Sequence, residues 1–134
     1  MLIDKRILVI GGAGFVGSNL VEHLAKHNVV ISVDNYSTGK RENHVDGVEY
    51  RKGHAKNIAS IAGDDTFDIV FHLGEYARVE SSLFEIEKVL ENNLYSIFPV
   101  VQYVKDIGAK LVYAGSSTKF GDAGTNRHAS PYAW

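Results

Sequence analysis

The apolar run Arg6-Ile-Leu-Val-Ile10 ends in Gly11-Gly-Ala-Gly-Phe-Val-Gly17 and continues without a break into Ser18-Asn-Leu20. β-Branched residues, then glycines, then a helix-compatible stretch restrict the chain to a strand, a tight turn and a helix folded back on that strand. Gly12, Gly14 and Gly17 satisfy the spacing G-x-G-x-x-G, and Gly11, Gly14 and Gly17 satisfy the wider G-x-x-G-x-x-G. In such a unit one glycine permits the turn, one lets the backbone approach a dinucleotide diphosphate, and one lets the helix lie close on the strand. The diphosphate then meets the unpaired N–H groups and the positive dipole end of the helix. Glycine-rich turns of this kind also occur with no ligand, so the motif needs context.

The next apolar run, Val29 to Val33, reads as a second strand ending in Asp34. An acid about 20 residues beyond the glycines accepts the hydroxyls of an adenosine ribose, and its charge favours NAD over the extra phosphate of NADP. Lys40 and Arg41 follow closely enough to offset that repulsion. The plain alternative for Asp34 is a turn residue after a strand.

Further strand-like runs are Val48 to Arg51, Ile69 to Leu73 and Lys110 to Tyr113, short and mostly apolar, as strands buried on both faces are. Helix-like segments alternate with them: Phe15 to His27, Lys56 to Ala62, and a long one from Ile86 to Val104. Alternation of this kind predicts an α/β, Rossmann-type doubly wound parallel sheet that stops after about five strands. Pro99 falls inside the long helix, where it removes a backbone bond and predicts a kink. Asn93 interrupts the apolar stripe of that helix, and its amide is expected to brace the loop after the fourth strand.

A length of 134 residues suits one domain, read as a dinucleotide-binding domain over 1–134 with no second, substrate-binding domain. The net charge of −2, with no basic run longer than Lys40-Arg41, argues against a nucleic-acid partner. The lack of cysteine removes disulfides and thiolate metal sites. Of six histidines only His23 and His27 have helical i, i+4 spacing, without a third ligand nearby, so no metal is predicted. No leader-like or membrane-length apolar segment is present, which makes a cytoplasmic location without membrane partners the expectation.

After the fifth strand come Ala114-Gly-Ser-Ser-Thr-Lys-Phe-Gly121 and, further on, Ser130-Pro-Tyr-Ala-Trp134. In an open parallel sheet this places Ser116, Ser117 and Thr118 at the carboxyl edge where ligands bind, although a Ser/Thr turn would look the same.

With these segments together, the chain resembles the N-terminal part of an extended short-chain dehydrogenase/reductase of the NAD-dependent epimerase/dehydratase family, in its UDP-glucose 4-epimerase-like branch. The segments that carry the likeness are ILVIGGAGFVGSNLVEHL, VDNYSTGKREN, DIVFHLGEYARVESS, ENNLYS, KLVYAGSSTKFG and SPYAW. The resemblance implies NAD as cofactor and a nucleotide sugar as substrate of the parent enzyme. It implies a diphosphate turn of Gly11, Gly14, Phe15, Val16 and Gly17, with Asp34, Asn35, Ser37, Thr38 and Gly39 around the adenosine ribose. It places His54 and Ala55 at the adenine, Leu73, Gly74 and Glu75 beside the cofactor, and Asn93 behind them. Ser116 is implied to hydrogen-bond the reacting sugar oxygen and Tyr132 to be the proton-transfer phenol.

The family's catalytic pattern is Y-x-x-x-K, and counted from Tyr132 its lysine falls just past Trp134. A free phenol has a pKa of about 10, and a neighbouring ammonium brings it towards neutrality. The chain alone is therefore expected to be inactive. Other departures are Ile10 in place of a threonine, Gly74-Glu75 in place of a common Ala-Ala, and His54 in place of an aspartate. A 4,6-dehydratase would need an acid/base pair after Thr118, where Lys119 and Phe120 stand. A non-catalytic, self-associating NAD-binding module is the alternative from another class, because an open edge at the fifth strand invites pairing. The resemblance also implies that the Ile86–Val104 helix is a homo-oligomer surface.

Overall fold

The structure is a computed structural model that describes residues 2–115. In chain order the elements are β1 (Arg6–Ile10), α1 (Phe15–Leu24), β2 (Val29–Asp34), β3 (Glu49–Lys52), α2 (Ile58–Ala62), β4 (Ile69–His72), α3 (Val79–Ser82), α4 (Ile86–Val89), α5 (Ile97–Ile107) and β5 (Lys110–Tyr113). Single 3₁₀ turns at Arg41–Asn43 and Ala55–Asn57 precede β3 and α2.

All strand pairs are parallel, in the order β3-β2-β1-β4-β5. The chain winds outward from β1 through β2 to β3 and then returns to the other side of β1 for β4 and β5. Because side chains alternate along a strand, β1 feeds two cores. Ile7 and Val9 pack with Val21 and Leu24 of α1, whereas Leu8 and Ile10 pack with Ile58 of α2 and Val100, Tyr103 and Val104 of α5. This is the three-layer, doubly wound α/β sheet that the alternating pattern predicts, its central strand apolar on both faces.

α1 lies close on β1 because Gly17 has no side chain: a Cβ there would fall 2.0 Å from the Gly11 carbonyl oxygen. The helix stops at Leu24, three residues short of the predicted His27. Asn28 explains the stop, since its Nδ2 donates to the Leu24 carbonyl at 2.8 Å and replaces the next helical bond. At the foot of the sheet Asp65 receives both Arg51 (2.6 Å) and Arg6 (2.7 Å), which ties β3 and β1 to the loop before β4.

The single helix predicted over Ile86–Val104 is instead three pieces. α4 is followed by a π turn at Leu90–Leu94, closed by the Tyr95 N–H donating to the Leu90 carbonyl at 2.8 Å, and α5 starts afresh at Ile97. Pro99 is thereby in the first turn of α5, where no backbone donor is needed, so the break precedes the proline and no kink occurs at it. The Ser96 hydroxyl, buried, donates to the Asn92 carbonyl at the same junction. α3 is short and has no periodic signal, and the sequence reading does not include it.

Overpacking against backbone cannot be relieved by a rotamer change. Gly17→Ala is therefore expected to lower stability by about 1–3 kcal/mol, read as the urea midpoint at unchanged slope. A midpoint equal to that of the parent chain would show that α1 does not depend on this close approach.

Candidate functional site

β1 and β4 lie side by side where the winding reverses, and the turns that leave them face each other. Gly11 takes φ 88°, a left-handed value, and a Cβ there would fall 2.8–2.9 Å from backbone atoms of Leu73 and Gly74. Only glycine meets both demands. Gly14 is the N-cap of α1 with extended geometry, no side chain caps that end, and the first turn carries no acid. The first intrahelical bond is Ser18 N–H to the Gly14 carbonyl at 2.9 Å. The Gly14 N–H donates to the Gly11 carbonyl at 3.2 Å, and the N–H groups of Phe15 and Val16 that follow form the open positive end of a ten-residue helix, a fit for a diphosphate.

Asp34, at the carboxyl end of β2, is buried at 6 % exposure. Its Oδ2 accepts the Ala13 N–H at 2.9 Å and its Oδ1 the Tyr36 N–H at 2.8 Å. Each carboxylate oxygen has two lone pairs, so both keep room for a further donor such as a ribose hydroxyl. The Ala13 carbonyl, in turn, accepts the Lys40 N–H and the Asn43 amide, at 3.1 and 2.8 Å, which folds the segment after β2 back over the glycine turn. Gly39 allows that fold, since a Cβ there would fall 2.8 Å from Asp34 Oδ1. Tyr36 takes a left-handed φ of 58° beside this carboxylate, with its hydroxyl on His44 Nε2 at 2.9 Å and His44 stacked on Tyr50 at 3.7 Å.

On the other side of the glycine turn, Asn93 clamps the segment after β4. Its Oδ1 accepts the Tyr76 N–H at 2.7 Å and its Nδ2 donates to the Tyr76 carbonyl at 3.0 Å. His72 ends β4 fully buried, its Nδ1 accepting the Gly74 N–H at 3.3 Å. Burial pushes this imidazole down to about 4, so it is neutral. Its ring meets Tyr113 edge-on at 5.7 Å, and the Tyr113 hydroxyl donates to Glu75. Burial and the Glu75 carboxylate push that phenol up to about 12.

The cleft so formed has two halves. The first is walled by Gly11, Gly14, Asp34, Asn35, Ser37 and Thr38, and closed by Gly53, Ala55, Leu73, Gly74, Glu75 and Asn92. The second is walled by Val16, Leu73, Glu75, Tyr76, Arg78, Asn93 and Ala114. Leu73 and Glu75 belong to both.

The family profile described as NAD dependent epimerase/dehydratase family matches residues 7–133. The chain belongs to that family. It is 33 % identical to UDP-glucuronic acid decarboxylase 1 of Xenopus tropicalis, over 96 % of this chain and 31 % of the relative. It is 31 % identical to the UDP-glucose 4-epimerase of Lactobacillus helveticus, over 87 % of this chain and 37 % of the relative. Among solved structures it superposes on UDP-glucose 4-epimerase of Thermus thermophilus in complex with NAD, with a TM-score of 0.77 at 29 % identity, covering 96 % of this chain and 43 % of that one. The chain spans about a third of the length of the curated relatives it matches. NAD is the cofactor of this epimerase/dehydratase family, and the glycine turn, open helix end and buried carboxylate are the features that fit it.

Of the residues singled out in the sequence, ten wall the first half: Gly11, Gly14, Asp34, Asn35, Ser37, Thr38, Ala55, Leu73, Gly74 and Glu75. Val16 and Asn93 wall the second, Phe15 is exposed at the start of α1, and Gly17 and Gly39 lie behind the turn and the carboxylate as packing glycines. His54 is not in the wall. Its Nδ1 caps the 3₁₀ turn by accepting the Lys56 N–H at 3.2 Å, which leaves its neighbours Gly53 and Ala55 to form the surface. Ser116 and Tyr132 lie outside the described residues.

The sequence reading passed over Asn92, whose Oδ1 accepts the Asn35 amide at 3.0 Å while its Nδ2 donates to the Lys88 carbonyl at 2.7 Å. The doublet Asn92-Asn93 was the available signal: one amide faces each half of the cleft. Tyr113 was read only as a strand residue.

Two outcomes follow from this geometry. Asp34→Ala removes the acceptor for a ribose hydroxyl and leaves the Ala13 N–H unpaired, so NAD affinity is expected to fall by roughly tenfold or more in a calorimetric titration; unchanged affinity would place the ribose elsewhere. For His72 the folded pKa of about 4 lies below the ordinary 6.5. The unfolded chain therefore binds a proton that the folded chain refuses, and stability falls as pH drops from 6.5 towards 4, by up to about 3 kcal/mol. Chemical denaturation across that window is expected to show this slope in the parent chain and a flatter one in His72→Gln; equal slopes would mean that His72 is solvated.

Proposed function

We propose that this chain is the NAD-binding part of a sugar-nucleotide epimerase of the UDP-glucose 4-epimerase kind, which inverts a sugar carbon by transient oxidation. The observation that carries the reading is the pairing of the uncapped α1 terminus at Gly14 with the buried Asp34 carboxylate across one cleft. Bound NAD would supply a reversible hydride acceptor for the sugar carbon.

The backbone around Gly11, Gly14 and Gly17 and the first turn at Phe15 and Val16 receive the diphosphate. Asp34 accepts the adenosine ribose hydroxyls, with Asn35, Ser37, Thr38 and Gly39 enclosing that end and Ala55 under the adenine. Leu73, Gly74 and Glu75 guide the nicotinamide half, and Asn93 fixes the backbone at Tyr76. Ser116 hydrogen-bonds the reacting sugar oxygen and Tyr132 exchanges its proton.

Epimerase and decarboxylase relatives both occur. Glu75 favours the epimerase, because a carboxylate in the second half of the cleft repels a uronate sugar and leaves a neutral hexose unaffected. The test is incubation of the protein with NAD and UDP-glucose or UDP-galactose, and in parallel with UDP-glucuronate, followed by chromatographic separation. Interconversion of the two hexoses is the expected result wherever turnover is seen; carbon dioxide release from UDP-glucuronate without hexose interconversion would overturn it.

The proposal extends to assembly. Leu90, Leu94, Phe98 and Val101 form an exposed apolar stripe across the π turn and α5, which supports self-association. Sedimentation is expected to show a dimer for the parent chain and a monomer for Phe98→Glu; a monomeric parent chain at high concentration would remove this part.

A further inference from the structure

A dinucleotide with its diphosphate at the start of α1 and its adenosine beside Asp34 has to carry its nicotinamide past the residues common to both halves of the cleft, Leu73 and Glu75. Glu75 therefore sets the charge met by the reactive ring. Its carboxylate is not left to swing. The Tyr113 hydroxyl donates to it, and Tyr113 is the last residue of β5, in register with His72 on β4. The Tyr113 ring rests edge-on against the buried His72 imidazole, which is itself fixed by the Gly74 N–H. With its proton held up to about 12, the phenol stays a donor through the physiological range. Arg78 lines the same second half, but it is exposed and forms no ion pair with Glu75.

Oxidised nicotinamide carries a positive charge and the reduced ring is neutral, while the rest of the molecule is the same. A fixed carboxylate near the ring separates the two by Coulomb energy alone. We propose that Glu75, anchored by Tyr113, is a specificity-determining residue for the redox state of the bound cofactor, favouring NAD⁺ over NADH. Such a preference keeps the resting site loaded with the oxidised form and drives the hydride back to the sugar after transient oxidation. The inference concerns the cofactor alone and holds for whichever sugar nucleotide is turned over, so failure of the hexose exchange assay leaves it standing.

The test is separate titration of the purified chain with NAD⁺ and with NADH, followed by calorimetry and by nicotinamide fluorescence, for the parent chain, Glu75→Gln and Tyr113→Phe. Glu75→Gln is expected to lower NAD⁺ affinity by roughly five- to tenfold while NADH affinity stays within about twofold. Tyr113→Phe, which loosens the carboxylate without removing it, is expected to fall between. Should either variant fail to fold, the ratio of the two affinities in the parent chain decides: raising ionic strength screens the carboxylate and is expected to shrink the preference for NAD⁺. An equal loss of both forms in Glu75→Gln, a ratio indifferent to the variant or to salt, or no binding of either form to the parent chain would overturn the proposal.

Discussion

The Ala13 N–H donates to the buried carboxylate of Asp34 at 2.9 Å, and through that bond the turn after β1 and the end of β2 become one surface. Neither group has a cheap alternative. Ala13 is fully buried, so its N–H has no water to turn to, and a polar group at 6 % exposure is costly without hydrogen-bond partners. The remaining features of the cofactor side are built outward from this pair. The Ala13 carbonyl collects Lys40 and Asn43, Gly39 makes room beside the carboxylate, and the peptide of Tyr36 closes over Oδ1.

The second constraint is topological. Reversal of winding after β3 leaves β4 beside β1 and keeps the two crossovers on opposite faces, so no helix covers the crevice between the outgoing turns. Gly11 and Gly74 approach there backbone to backbone, closer than any Cβ allows. Open sheets of this kind put ligand and chemistry at the same edge, and the polar groups of this chain gather there: Asp34, Asn35, Glu75, Asn92, Asn93 and Tyr113. The apolar positions of β1, with Val21 and Leu24 of α1 and Val100, Tyr103 and Val104 of α5, are taken up by the two cores beneath.

The order of elements was legible in the sequence because it rests on local patterning. β1 and β5 have the bounds read from the apolar runs, β2 and β4 differ by a residue at one end, and β3 is shifted by one residue at both ends. The glycine spacing and Asp34 were readable for the same reason, since both are fixed by one strand-turn-helix unit. What escaped was set by distant partners. The stop of α1 depends on an amide from Asn28, and the break before Pro99 depends on a π turn that no 3.6-residue periodicity announces. Asn92 matters because Asn35 lies across the cleft from it, and Tyr113 matters because parallel register brings it beside His72 and the Glu75 that follows. His54 stands next to the wall, with its Nδ1 capping the turn at Ala55–Asn57. No described helix is long and apolar enough to cross a membrane, which agrees with the even spread of charge along the chain.

The central claim is that a dinucleotide diphosphate rests on the backbone at the start of α1 with Asp34 on its adenosine ribose. A crystal structure of the protein grown with NAD tests it most directly. Density for the diphosphate is expected against the N–H groups of Phe15 and Val16, with a ribose hydroxyl on the Asp34 carboxylate. Dinucleotide bound away from this turn, or a bound ribose with Asp34 facing elsewhere, would contradict it.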